Sequence, residues 1–114
     1  MKVIRQGDVL LVPVKNLPNN CKAVDLDGSR VVLAYGEVTG HAHAIQLSPE
    51  EVVNSAVRKA QLWAAENGQR FLEVNETVSL THEEHTAHQL PPGLYEVPIQ
   101  VDMTQDKLPR KVTD

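Results

Sequence analysis

The sequence predicts an α+β domain, mainly antiparallel β arranged as a small barrel or roll, with one amphipathic helix packed on the sheet. Three observations carry this expectation. Short runs rich in β-branched residues recur between Gly, Pro and Asn punctuation, as antiparallel strands do. One stretch, beginning at Ser48, combines helix-start chemistry with apolar residues at three- and four-residue spacing. A chain of 114 residues that is 41% apolar suits one hydrophobic core. Residues 1–114 are therefore read as a single domain.

The first strand signal is Val9-Leu10-Leu11-Val12-Pro13-Val14, closed by the loop Asn16-Leu17-Pro18-Asn19-Asn20. Pro13 has no N–H to give a ladder, which places that end at an edge or bulge. Arg30-Val31-Val32-Leu33-Ala34-Tyr35 is a second strand, stopped by Gly36, and Glu37 to Leu47 is a third, bent or bulged at Gly40. Ser48-Pro49-Glu50-Glu51 then supplies an N-cap, a proline at the first helical position and a capping-box glutamate. The apolar positions Val52, Val53, Ala56, Val57, Ala60, Trp63 and Ala64 extend the helix to a stop at Asn67-Gly68. Arg70–Val74 and Thr77–Thr81 follow as strands that pair as a hairpin about Asn75-Glu76, and Leu94 to Asp102 is the last long strand. Residues 104–114 are expected to be a loose tail. Phe71, Trp63, Tyr35 and Tyr95 are the only aromatic residues, so the core must be built chiefly from aliphatic side chains.

A net charge of −4 argues against nucleic acid as a partner, because phosphate affinity comes from clustered Lys and Arg. No apolar run approaches bilayer length, and Met1-Lys2-Val3-Ile4-Arg5-Gln6-Gly7-Asp8 lacks the pattern of a secretory leader. Cys21, the single cysteine, allows no internal disulfide. The expected setting is a reducing one, the cytoplasm, with no membrane partner.

Chemistry concentrates in the histidines. All five lie in two short clusters: His41 and His43, and His82, His85 and His88. Residues i and i+2 of a strand point to one face, so His41 and His43 suit a single cation. The second cluster supplies the further ligands that a transition metal needs, and zinc is the first expectation among metals that take neutral imidazole. Glu83 and Glu84, between those histidines, are the candidate catalytic residues, as general base for a metal-activated water. The competing reading is that these histidines only hydrogen-bond neighbouring carbonyls along a wet edge. The spacing does not match a metalloprotease helix, whose histidines stand at i and i+4. A cupin-like reading of His41-Ala42-His43 lacks the glutamate that should follow, since Ile45-Gln46-Leu47 stands there.

The blocks Arg5-Gln6-Gly7-Asp8-Val9, Gly36-Glu37-Val38-Thr39-Gly40-His41-Ala42-His43, Leu80-Thr81-His82-Glu83-Glu84-His85 and Leu90-Pro91-Pro92-Gly93-Leu94-Tyr95 together resemble a family of small uncharacterised bacterial and phage proteins. The resemblance spans nearly the whole chain and implies shared architecture without an activity. It also marks Ser48–Gly68 as a helical insertion relative to shorter relatives. Three functions follow from the sequence. The first is a metal-dependent enzyme with an open coordination position, and the second is a module whose closed four-ligand site stabilises a small core. The third is a non-catalytic phage or mobile-element accessory protein acting through protein–protein binding. Exposed strand edges would allow a homodimer in any of them.

Overall fold

The computed structural model describes residues 2–35 and 41–98, together with the backbone of residues 101–103 and 109–111. Three strands open and close a six-stranded antiparallel sheet near the N-terminus: β1 (Ile4–Gln6), β2 (Val9–Pro13) and β3 (Lys22–Ala23). β4 (Arg30–Tyr35) and β5 (Ala42–Gln46) follow as an antiparallel pair, with a register shift between Val32 and Ala34. The bend expected at Gly40 lies outside the described residues. After the short helix α1 (Pro49–Val53) and a 3-10 turn (Ser55–Val57) come β6 (Ala60–Ala64), β7 (Arg70–Val74), β8 (Val78–Leu80), β9 (His88–Leu90) and β10 (Gly93–Glu96). β11 (Val101–Met103) and β12 (Pro109–Lys111) pair with each other, so part of the expected loose tail is a strand.

The large sheet runs β1-β2-β10-β7-β6-β3. Pro13 lies past the end of β1, whose last pair is Ile4 with Leu11, and Val14 donates to the Leu94 carbonyl at 2.9 Å. The missing proline N–H is thus tolerated on the side where no neighbouring strand asks for it. A second layer is assembled from two hairpin-like pairs, β4 with β5 and β8 with β9. Ala44 and Thr81 join these pairs by exchanging both backbone hydrogen bonds. Val9, Leu11, Leu62, Leu72 and Tyr95 from the large sheet and Val31, Leu33, Ile45, Leu80 and Leu90 from the second layer form one buried cluster. Its substance is aliphatic, as the composition requires. No closed barrel forms among the described residues. The large sheet ends in β1 and β3, which at three and two residues offer too little ladder for closure.

The helix expected from Ser48 to Asn67 is corrected from Asn54 onward. Its start is as read: Ser48 Oγ accepts from the Glu51 N–H, and the Glu51 carboxylate accepts from the Ser48 N–H. Helix α1 then ends after five residues, because Asn54 takes an extended conformation and its side chain accepts from the Ala56 N–H. Such a local bond competes with helix. Arg58 closes the turn by donating to the Glu51 and Val52 carbonyls at 2.7 and 2.9 Å. Ala60–Ala64 is a strand paired with β7 on one side and β3 on the other. Ala60 and Leu62, two apart, join the core cluster as same-face residues of a strand do, while Gln61 between them is buried outside it. Asn67-Gly68 is the turn of the β6–β7 hairpin, with Gly68 at φ +91°, where glycine is favoured. Nor is α1 an amphipathic cover for the sheet: only Val52 packs against the core, and Val53 is 84% exposed.

One further pairing and one strand end differ from expectation. β7 and β8 do not form a hairpin, since β7 lies between β6 and β10 while β8 pairs with β9. The expected strand from Leu94 onward ends at Glu96, after which Val97 donates to the Arg70 carbonyl. No helix among the described residues is long and apolar enough to cross a membrane.

Candidate metal centre

The Ala44–Thr81 bridge sets the register that builds the site. Continuing its antiparallel pairing by one residue places His43 opposite His82. Ile45 and Leu80, on the core side of the bridge, share the face of His43 and His82, so the histidine pair extends the core toward its rim. The imidazole rings of His43 and His82 stand 4.3 Å apart between centroids, 31° from parallel. Regular pairing stops at Ala42, whose N–H donates at 3.0 Å to the Glu83 carboxylate rather than to a backbone carbonyl. The chain then turns through Glu83, Glu84 and His85.

Four of the five histidines converge. His82 lies at the centre, with His85 at 4.7 Å and His41 at 5.8 Å between ring centroids, and His85 also approaches His43 at 5.7 Å. His43 is 1% exposed and His82 9%, while His41 and His85 are half-buried and Glu83 and Glu84 lie at the surface. His88 stands apart. It begins β9 opposite Leu80, half-buried, and none of these ring contacts reaches it. One ligand atom from each of His41, His82 and Glu83 lies within 4.8 Å of the others, close enough for the three to serve one metal ion.

Each group is held by a specific partner. The Ala42 N–H, with help from its own backbone N–H, keeps the Glu83 carboxyl below the ordinary glutamate range, and His41 and His82 add smaller effects in the same direction. A carboxylate held ionised in this way is a good anionic ligand and a weak base. Glu84 Oε2 lies 4.0 Å from His41 Nδ1, and the Glu84 N–H donates to His82 Nδ1 at 3.0 Å. His43 Nδ1 meets Gln6 Oε1 at 2.8 Å, while Gln6 Nε2 donates to the Leu80 and Thr86 carbonyls, both at 2.9 Å. Gln6 is 2% exposed. Sequence reasoning missed it, because a lone glutamine at a strand end has no chemical signature; only the fold reveals that β1 delivers it beneath the histidines.

A family model described as a domain of unknown function, DUF8820, matches residues 5–100. The chain belongs to this family. The DUF8820 match takes in Gln6, both histidine clusters and every strand from β2 to β10. No curated protein and no solved structure matches the chain.

Proposed function

We propose that this DUF8820 domain binds a divalent transition metal, zinc foremost, through His41, His82 and Glu83, with His43 and His85 beside them as further ligands. The observation that carries the reading is the meeting of two imidazoles and a carboxylate within 4.8 Å, at the end of paired strands and against the core. Two nitrogens and one oxygen suit zinc and its first-row neighbours, whereas magnesium and calcium favour sites built from oxygen alone. The exposure of Glu83 and the partial exposure of His41 favour an open coordination position over a closed structural one. A metal in such a position lowers the pKa of bound water or polarises a substrate oxygen. The nearness of Glu84 Oε2 to His41, 4.0 Å from its Nδ1, supports Glu84 as the carboxylate that handles the proton.

The test is elemental analysis of untagged full-length protein, followed by equilibrium dialysis against zinc, for the native chain, His82→Ala and Glu83→Gln. One equivalent of metal in the native chain, lost or much weakened in both variants, is the expected result. Absence of stoichiometric metal in the native chain after supplementation at neutral pH would overturn the proposal.

A further inference from the structure

We infer that Gln6 is the positioning residue of the histidine cluster: it selects the Nδ1–H tautomer of His43, so that His43 meets the site through Nε2. The inference rests on the metal reading only for what Nε2 then does.

The argument turns on which end of a carboxamide donates. Gln6 Nε2 carries two protons and faces two backbone carbonyls, Leu80 O and Thr86 O, each at 2.9 Å. Carbonyl oxygens only accept, so turning the amide over would bring its oxygen against two other oxygens and forfeit both bonds. The orientation is therefore fixed, and Oε1 must face His43 Nδ1, 2.8 Å away. That oxygen also only accepts, which requires the proton of a neutral His43 ring to sit on Nδ1 and its lone pair on Nε2. Gln6 and His43 are 2% and 1% exposed, so protein groups make this choice. Metal-binding histidines are commonly held in this manner, with one ring nitrogen donating to an oxygen acceptor and the other turned to the metal.

The same carboxamide does a second job. Leu80 and Thr86 bracket the turn that carries His82, Glu83 and His85. Gln6 thus links His43 to both ends of the segment that bears His82, Glu83 and His85, and a single side chain from β1 ties the two histidine clusters together beside the Ala44–Thr81 bridge. Removing that side chain takes an acceptor from His43 Nδ1 and a donor from the Leu80 and Thr86 carbonyls.

The decisive experiment is long-range proton–nitrogen NMR on the full-length chain labelled with 15N-histidine, first without metal and then with added zinc, at neutral pH. His43 is expected to show the Nδ1–H tautomer before any metal is added. Zinc is expected to shift Nε2 and leave the Nδ1–H proton in place. Gln6→Leu, which has neither donor nor acceptor, is expected to lose the fixed tautomer and about 10–100-fold in zinc affinity. Gln6→Glu keeps an acceptor toward Nδ1 but sets a second oxygen against the Leu80 and Thr86 carbonyls, so it is expected to hold the proton on Nδ1 at a cost in stability. An Nε2–H tautomer in the metal-free native chain overturns the inference, and this reading needs no variant to fold. Zinc binding that leaves His43 Nε2 unmoved, or a folded Gln6→Leu with native zinc affinity, also overturns it while the metal site itself survives. An Nδ1–H tautomer in a chain that binds no zinc supports the selection by Gln6 and overturns the metal reading alone.

Discussion

His82 accepts a hydrogen bond at Nδ1 from the backbone N–H of Glu84, two residues ahead and 3.0 Å away. A neutral imidazole has one lone pair and one N–H, so this bond commits the His82 lone pair and puts its proton on Nε2. His43, held by Gln6, has the opposite arrangement. The two facing histidines therefore start from different states. A metal bound at His82 Nδ1 displaces the Glu84 N–H directly, and one bound at Nε2 moves the ring proton to Nδ1, where it repels that N–H.

Zinc is accordingly expected to release the Glu84 amide by either route. Amide hydrogen exchange at Glu84 should quicken on zinc addition while the Ala44 and Thr81 amides, locked in their mutual bridge at 3.0 and 2.9 Å, stay protected. An unchanged or slower Glu84 amide in zinc-loaded protein would show that His82 is not a ligand.

The histidines should divide under substitution. His82→Ala removes the central ring and is expected to weaken zinc binding by at least about 100-fold, beyond what loss of a supporting residue typically costs. His88→Ala, outside the ring cluster, is expected to leave affinity within about two-fold of native. Isothermal titration of the two variants side by side separates these outcomes, and equal losses would contradict the geometry.

Glu51 supplies a pH-dependent share of stability. Burial alone would raise its pKa, but hydrogen bonds from the Ser48 and Lys59 N–H groups and the Ser48 hydroxyl outweigh this and hold it below the ordinary range. A carboxyl whose folded pKa is depressed contributes stability that is present above its unfolded pKa and lost as pH falls through the folded one. Glu51→Ala is therefore expected to cost about 1–2 kcal/mol at neutral pH, by urea unfolding. The gap between native and variant midpoints should narrow below about pH 4.

Gly68→Ala tests the corrected hairpin. At φ +91° a Cβ is strained although nothing lies within 4 Å of it, so the change should cost about 1 kcal/mol. Were the segment the C-terminus of a long helix, the neighbouring Ala60–Ala64 amides would show helical rather than cross-strand contacts, which NMR distinguishes directly.

The histidine clusters are legible in the sequence because residue type and spacing are local properties, and in the structure four of the five rings lie near one another. Strands β2 and β4 were legible for a similar reason, since their β-branched runs are bounded by strong turn residues. The long helix is not borne out because Ala, Leu and Trp fit either period, and the contest at Ala60–Ala64 is decided by ladders from β7 and β3 that no local pattern displays. Asn67-Gly68 served equally well as a helix stop and a hairpin turn. Strand partnership was the other blind spot: the pairing of β8 with β9 and the Ala44–Thr81 bridge are long-range facts, and from them follow both the face-to-face histidines and the place of Gln6.

Gln6 belongs to the large sheet, while the groups it holds belong to the second layer. An unfolded chain carries both histidine clusters, yet their folded arrangement needs the N-terminal strand seated beneath them. Metal uptake would therefore report completed assembly: a colour-forming zinc indicator, competing with the protein during refolding, would time the docking of the N-terminal strand.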